Sequence, residues 1–252
     1  KVLKNHCKKR NIEFLSSPFD IESAKFLISI QVKRIKIASG EITNYPLLKF
    51  IAKKNKKTIL STGMSSIKEI QESVSVLYKN GLSKKNLTLL HCTSSYPADY
   101  NEVHLKAISL MKKKFKINIG YSDHTKGIDV PIAAVAIGAT LLEKHFTLNR
   151  KMKGPDHLSS LEPDEFTRMV KSIRIIEKSL GDEKKILNKK EKNNKKIIRK
   201  SIYASKNIKI GEYFTERNLT TKRPAAGVSP MKWNKFINKK SKKNYKVDDL
   251  IR

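Results

Sequence analysis

Short apolar runs rich in β-branched residues recur through the first two thirds of the chain, separated by stretches with a helical spacing of apolar positions. The runs predict six strands, at residues 12–17, 34–38, 58–62, 87–92, 117–122 and 140–146. The stretches between them predict helices, among them residues 21–30, 66–80 and 130–138. Strands that alternate with helices are typical of a parallel sheet covered by helices.

Polar residues close nearly every predicted strand. The segments are Ser16-Ser17, Ser39-Gly40-Glu41, Ser61-Thr62-Gly63, Thr93-Ser94-Ser95-Tyr96, Ser122-Asp123-His124 and His145. In (β/α)8 TIM barrels the catalytic groups stand at the carboxyl ends of the strands, so this pattern predicts a TIM barrel. A barrel needs eight strands, and we therefore expect its first two βα units to precede Lys1 and the chain to be incomplete. An open doubly wound sheet is the alternative fold.

The last third of the chain differs in character from the rest. A helix is predicted at residues 163–180, and a lysine-rich stretch with few apolar residues follows it. From residue 199 onward, short alternating runs, a loop after Lys222 and a short helix at 231–237 replace the βα pattern. We therefore expect three parts: a partial TIM barrel at 1–180, a linker at 181–198 and a small β-rich domain at 199–252.

The formal net charge is +31, which by itself would favour nucleic acid or an anionic membrane as a partner. The basic residues are 45 Lys and 9 Arg, spread over most of the chain. Specific recognition of phosphates and bases depends largely on the planar fork of Arg, so a lysine-rich composition explains the charge better. No apolar run reaches the roughly 18 residues of a membrane helix. We therefore expect no nucleic-acid partner and no membrane association.

Cys7 and Cys92 are the only cysteines, and two distant cysteines in a chain of this size do not form a disulfide framework. This composition fits a reducing compartment, and we expect a cytoplasmic protein. A targeting segment before Lys1 stays open, because the chain starts within a helix-like segment and not at Met.

Two histidines, His124 and His145, each follow a predicted strand and stand about one βα repeat apart. Adjacent parallel strands would bring both imidazoles to the same edge of the sheet. Two imidazoles at that edge, with Asp156 in a following loop, indicate a site for a divalent metal ion. The alternative is a pair of histidines that are hydrogen-bonded in the core of the barrel.

Taken together in order and spacing, the strand-end motifs resemble those of the sialic acid synthase family. They are IASGE at 37–41, LSTGM at 60–64, HCTSSYP at 91–97, GYSDHT at 120–125, EKHFT at 143–147 and GPD at 154–156. Residues 199–252 resemble the C-terminal antifreeze-like (SAF) domain of that family. The resemblance implies a TIM barrel followed by an SAF domain, in a domain-swapped homodimer. It also implies an enzyme that condenses phosphoenolpyruvate with an N-acetylated aldose, usually N-acetylmannosamine, to a nine-carbon 2-keto sugar acid.

The resemblance further assigns roles to individual residues. The metal ligands would be His124 and His145, for Mn²⁺ by resemblance, with Mg²⁺, Co²⁺ or Zn²⁺ able to substitute. The phosphoenolpyruvate site would hold Ser17, Lys36, Ser39, Ser61, Ser94 and Ser122. The acceptor sugar would meet Glu41, Tyr96, Asp156 and Arg223, the last of these from the partner subunit. Catalysis would involve Lys36, Glu41 and Glu143.

Structural alternatives exist for several of these residues. A serine at a strand end can cap the following turn, and a glutamate after Gly, such as Glu41, can cap a helix. Glu143 can be a buried partner of a lysine, and Arg223 can lie in a basic surface loop.

Other functions stay open at this stage. A pseudaminic acid synthase, with a 2,4-diacetamido trideoxy sugar as acceptor, is the nearest alternative within enzymes. A second is a non-catalytic remnant whose small domain serves for binding or dimerisation. A nucleic-acid binder is the third, and it predicts a steep dependence of binding on salt.

Overall fold

The first of two units, Lys1–Gly181, is built on a sheet of five parallel strands. The computed structural model describes all 252 residues, and these strands are β1 (Arg34–Ile37), β2 (Lys57–Ser61), β3 (Leu87–Cys92), β4 (Asn118–Asp123) and β5 (Leu142–Lys144). Each strand pairs with the next along the chain, in the order β1-β2-β3-β4-β5. A doubly wound sheet reverses its order at one point, and this sheet does not. The parallel α/β sheet is confirmed, and its eight-stranded closure stays a prediction.

Seven helices belong to this unit. They are α1 (Val2–Lys9), α2 (Ile21–Ser29), α3 (Tyr45–Ala52), α4 (Ile67–Lys79), α5 (Lys106–Phe115), α6 (Asp129–Ala136) and α7 (Pro163–Leu180). Local sequence explains several of their ends. Helix α4 begins at a capping box, in which Ser66 N donates to Glu69 Oε2 at 2.7 Å and Glu69 N to Ser66 Oγ at 3.3 Å. Helix α7 has Pro163 at its first position, where no backbone N–H is needed, and ends before Gly181.

The core lies between these helices and one face of the sheet. Successive strand residues point to opposite faces, and the apolar set packs against the helices: Ile35, Ile37, Leu60, Leu87, Leu89, Ile119 and Tyr121. Buried residues of the helices complete it, including Ala24, Leu27, Leu47, Ile51, Leu77 and Ile108. Each fully buried Leu or Ile contributes about 1.5–3 kcal/mol to the free energy of unfolding. The opposite face carries polar strand residues together with the buried Ile59 and Leu90.

The strand predicted at residues 12–17 is wrong, because the structure forms no regular strand there. The segment is extended, and it joins the sheet through one long hydrogen bond from Lys36 N to Ser16 O, at 3.5 Å. It lies at the edge next to β1, and Pro18, which follows it directly, has no N–H to donate to a ladder. The predicted strand at 140–146 is shortened to β5, after which Phe146 forms a parallel bridge with Leu161.

The second unit, Asp182–Arg252, has its own small core. It contains helix α8 (Lys189–Ile198) and the antiparallel strands β6 (Ser201–Ala204) and β7 (Leu219–Lys222). The core residues are Ile202, Ala204, Ile208, Phe214, Leu219, Tyr245 and Ile251. A separate unit with a small antiparallel sheet is confirmed, and the predicted domain bounds of 199–252 stay a prediction. Helix α8 lies within the predicted linker, because Asn188 and Glu191 form a capping box that starts a helix in a lysine-rich stretch.

Two further features concern the whole chain. None of its helices combines the length and the apolar character needed to cross a membrane. Cys7 and Cys92 are both free thiols, the first half-buried and the second buried.

Candidate active site

Strand alternation gathers the polar residues on the face of the sheet opposite the helices, which we call the concave face. Towards the carboxyl ends of the strands these residues are Lys36, Ser61, Cys92, Ser122 and Glu143, one from each strand. All five stand at, or one residue before, the carboxyl ends of their strands. The loops that follow these ends add further polar groups. The result is one polar surface to which every strand of the sheet contributes.

Two imidazoles lie side by side at the edge of this surface. His124 directly follows β4 and His145 directly follows β5, and their ring centroids are 5.2 Å apart in an edge-to-face arrangement. The ring of Tyr96 lies 4.1 Å from that of His124 and 5.5 Å from that of His145. Asp156 Oδ2 is 3.8 Å from His145 Nδ1. The structure thus brings together four of the six residues that the sequence indicated for the metal and the acceptor, and leaves out Glu41 and Arg223.

The protonation of His124 follows from its partners. Its Nδ1 lies 2.7 Å from the carbonyl oxygen of Thr93, which can only accept, so Nδ1 carries the proton. Burial lowers the pKa of His124, although the hydrogen bond to Thr93 opposes this. The imidazole is therefore neutral near pH 7, with the lone pair of Nε2 available to a ligand. A carbonyl that fixes the ring in this way is typical behind metal-binding histidines.

A cation and a carboxylate meet in the middle of the concave face. Lys36 Nζ lies 3.1 Å from Glu143 Oε1, and the Lys36 side chain is only 12% exposed. Ser122 Oγ donates to the same Glu143 oxygen at 2.7 Å. Glu143 is thus a partner of a lysine, but its side chain is 34% exposed and not buried as the structural alternative expected.

Small hydroxyl groups surround the backbone of Gly63. Its N–H donates to Ser39 Oγ at 3.0 Å, and a Cβ added there would come within 2.2 Å of Ser94 Oγ. Ser61 Oγ is buried and has no hydrogen-bond partner. Such an orphan hydroxyl is costly unless a ligand satisfies it. The hydroxyls and Lys36 together form a surface suited to an anion.

Three of the predicted site residues lie outside these clusters. Ser17 is half-buried at the end of the extended segment. Glu41 accepts a hydrogen bond from Asn44 Nδ2 at 2.6 Å, and Asn44 caps helix α3, so Glu41 supports a helix start. Arg223 belongs to the second unit, where it is exposed in the loop after β7.

The sequence reasoning gave no role to Cys92, which lies at the centre of the site. Its Sγ is 3.8 Å from His124 Nδ1, and it interacts with the hydroxyls of Ser39 and Ser122. Burial raises the pKa of this thiol, so it is a neutral packing group and not a nucleophile. Strand parity was the signal that could have found it, because Cys92 ends β3 on the concave face.

A parallel α/β sheet that presents a cation, a carboxylate and two imidazoles at its carboxyl ends has the arrangement of an enzyme active site. Residues 1–185 match the NeuB family and residues 199–252 match the SAF domain. The chain therefore belongs to the NeuB family, with an SAF domain at its C-terminal end.

Individual relatives agree with this assignment. The N,N'-diacetyllegionaminic acid synthase of Campylobacter jejuni is 56% identical over 247 residues, which cover 98% of this chain and 74% of the relative. The pseudaminic acid synthase of the same species is 38% identical over 237 residues, which cover 94% and 68%. A crystal structure of N-acetylneuraminic acid synthetase from Leptospira borgpetersenii superimposes with a TM-score of 0.72 at 40% identity, covering 77% of this chain and 67% of that one.

Proposed function

We propose that the protein is a phosphoenolpyruvate-dependent, C–C bond-forming transferase of the sialic acid synthase type. It joins phosphoenolpyruvate to an N-acetylated aldose and releases phosphate and a nine-carbon 2-keto sugar acid. The observation that carries the proposal is the proximity of the Lys36–Glu143–Ser122 cluster to the His124–His145 pair. The first suits an anionic enol phosphate with its attacking water, and the second suits the carbonyl oxygen of an aldehyde.

Phosphoenolpyruvate carries up to three negative charges. Lys36, whose side chain is 12% exposed, supplies a cation. We assign the hydroxyl groups of five serines as further donors to the anion: Ser17, Ser39, Ser61, Ser94 and Ser122. The unpaired Ser61 hydroxyl supports this assignment most directly, because a bound phosphate or carboxylate would satisfy it. The close packing around Gly63 holds the donors of Ser39 and Ser94 in place.

A divalent metal ion fits the imidazole pair. His124 and His145 would hold it, as Mn²⁺ by family resemblance, with Mg²⁺ or Co²⁺ as alternatives. No three His, Cys, Asp or Glu side chains form a ready-made ligand set, so water and substrate would complete the coordination. When bound, such an ion supplies a Lewis acid that polarises the aldehyde oxygen of the acceptor.

The side chains of this chain divide the remaining work. C3 of the enol attacks the aldehyde carbon, water adds at C2, and phosphate leaves with cleavage of its C–O bond. Glu143, held by Ser122, orients that water and accepts its proton. Family resemblance, and not a contact in this structure, assigns Glu41 to protonate the new alkoxide; here its carboxylate accepts from Asn44 at the start of helix α3. Tyr96 and Asp156, next to the histidines, bind hydroxyl and acetamido groups of the sugar.

The relatives favour an acceptor with two acetamido groups. Phosphoenolpyruvate contributes three carbons and no nitrogen, so both acetamido groups of an N,N'-diacetyl product come from the acceptor. Identity to the N,N'-diacetyllegionaminic acid synthase is 56%, against 38% to the pseudaminic acid synthase. A diacetamido aldose of the legionaminate series is thus favoured over N-acetylmannosamine, with the pseudaminate precursor as the alternative.

The second unit completes the site in this proposal. Arg223 is exposed after β7, and in a domain-swapped homodimer it would reach the acceptor in the partner's barrel.

Phosphate release by the full-length gene product tests the proposal. The assay contains phosphoenolpyruvate, Mn²⁺ and one acceptor at a time, chosen from N-acetylmannosamine and the two diacetamido sugars. We expect release with a diacetamido sugar, and its loss on chelation and in His124→Ala. The control is His6→Ala, on an exposed residue of α1. No release with any acceptor from folded, metal-loaded protein would refute the synthase assignment and leave the binding-module alternative.

A further inference from the structure

A buried ion pair lies directly beneath the two histidines. Lys144 Nζ is 2.6 Å from Asp123 Oδ2, and the two side chains are 1% and 0% exposed. Asp123 is the last residue of β4 and Lys144 the last of β5, and the two are direct partners in the register of the sheet. The pair therefore joins the strand ends from which His124 and His145 continue.

The remaining hydrogen-bonding capacity of the pair is used locally. Asp123 Oδ1 accepts from Tyr121 Oη at 2.9 Å, from Thr125 N at 3.0 Å and from Thr125 Oγ1 at 2.9 Å. Lys144 Nζ also donates to the carbonyl oxygen of Thr125. With this many partners and no exposure, neither group is available to exchange protons with a substrate. The pair therefore has a structural role and is neither an acid nor a base of the reaction.

A buried ion pair adds little net stability to a fold. Removing two charges from water costs several kcal/mol each, and apolar residues of similar volume often stabilise a protein as well or better. What the pair supplies is a defined geometry, because a short charge-assisted bond fixes distance and direction. Since strand residues alternate, this bond lies on the helix-facing side while the next residue of each strand, His124 or His145, faces the concave side.

We propose that Asp123 and Lys144 are positioning residues that set the separation and relative orientation of the His124 and His145 rings. The inference deepens the proposed function, and it rests on that function for the role of the two imidazoles. In physical terms, the ion pair between neighbouring strand ends holds His124 and His145 at a fixed distance before the metal binds.

The test removes both charges together, so that no unpaired buried charge remains. In Asp123→Asn/Lys144→Met we expect the affinity for Mn²⁺, measured by the electron paramagnetic resonance of the free ion, to fall about 10-fold to 100-fold. The control is Ser73→Ala. Ser73 lies on helix α4, away from the histidines, and the substitution removes its buried hydrogen bond of 2.6 Å to Ile42 O. It should lower the melting temperature and leave Mn²⁺ affinity unchanged.

A second measurement needs no metal. Carbon-13 labelling of the histidines reports the ring environments of His124 and His145 by NMR in metal-free protein. We expect both resonances to shift or broaden in the double variant and to stay in place in Ser73→Ala. If the parent binds no Mn²⁺, the metal assignment fails, and the NMR arm still decides the positioning role. Unchanged resonances and unchanged affinity in the folded double variant would overturn the inference.

A milder variant covers the case in which the double variant does not fold. Thr125→Val keeps the shape of the side chain and removes one donor to Asp123 Oδ1. We expect it to weaken Mn²⁺ binding several-fold and to move the His124 resonance. Wild-type affinity together with wild-type resonances in this variant would count against the positioning role.

Discussion

Lys36 and Glu143 form an ion pair between the two outermost strands of the sheet. Their side-chain atoms Nζ and Oε1 are 3.1 Å apart, although β1 and β5 have three strands between them. In a flat sheet these strands would lie about 19 Å apart, given about 4.8 Å per step, and their parallel side chains would not meet. The sheet is therefore strongly curled, as in the wall of a barrel, and this curvature creates the site.

Glu143→Gln separates two roles of Glu143, as the ionic partner of Lys36 and as the base that accepts a proton from water. The amide can still accept from Ser122 but no longer neutralises Lys36, so we expect phosphoenolpyruvate to bind as tightly as before or up to about 5-fold more tightly. Loss of the base should lower kcat about 10²-fold to 10⁴-fold. Binding is measured by calorimetry and kcat by phosphate release.

The matched control for that change is Glu22→Gln. Glu22 pairs with Lys25 at 2.7 Å on the exposed side of helix α2, so the substitution makes the same charge change away from the polar cluster. It should leave kcat and binding unchanged. Weaker binding of phosphoenolpyruvate in Glu143→Gln, or an unchanged kcat, would contradict the roles given to this residue.

Gly63→Ala tests whether the hydroxyl cluster is a binding surface. The new Cβ would approach Ser94 Oγ to 2.2 Å and Ser39 Oγ to 2.9 Å, so both donors must move. We expect the KM for phosphoenolpyruvate to rise at least about 10-fold, because displaced donors no longer meet the anion. Gly40→Ala is the control, since nothing lies within 4 Å of its added Cβ. Equal KM values for the two variants would argue against this surface.

Local signals explain why much of the fold could be predicted. Helix α7 was predicted over its full range, because proline opens it, acidic residues fill its first turn and Gly181 follows it. Strands β1 to β4 are apolar runs with clear ends, and their predicted bounds agree to within one residue. The failed strand at 12–17 has similar apolar content, but a strand also needs a hydrogen-bonded neighbour, which local sequence does not report.

The sequence predicted which residues form the site better than it predicted how those residues contact one another. Motif order singled out Lys36, Glu143 and the two histidines, and the structure gathers them. The pairing of Lys36 with Glu143 depends on the curl of the sheet, which no local pattern encodes. The buried Asp123–Lys144 pair was missed because it depends on the register of β4 against β5, which local sequence does not report, although each member directly precedes a predicted histidine ligand.

His91 makes the stability of the fold depend on pH. Burial lowers its pKa, with a smaller opposing effect from its contact to Val103 O at 2.6 Å and a further lowering by His104. The unfolded chain takes up a proton near pH 6.5 and the folded protein does not, so the free energy of unfolding falls as pH drops below about 6.5. This residue contributes at most about 1.4 kcal/mol per pH unit.

His91→Gln should therefore flatten the acid side of the stability profile. The amide can still donate to Val103 O and does not titrate, so the difference between variant and parent isolates this histidine. Denaturant unfolding between pH 5 and pH 7 gives the slopes, and His6→Gln, at an exposed position, is the control. A slope in His91→Gln as steep as in the parent would assign the acid sensitivity to other groups.

Mixed dimers test whether Arg223 acts on the partner's site. Arg223→Ala alone should raise the KM for the acceptor at least about 10-fold, because a charged donor to the sugar is lost, while the exposed Arg217→Ala should not. A subunit with His124→Ala has an inactive barrel but keeps Arg223. A subunit with Arg223→Ala has an intact barrel but lacks the arginine. If the arginine acts across the dimer, refolding the two in equal amounts restores about one quarter of wild-type activity at low acceptor concentration, since half of the dimers regain one complete site. If it acts within its own subunit, every site in the mixture lacks one group, and mixing restores nothing.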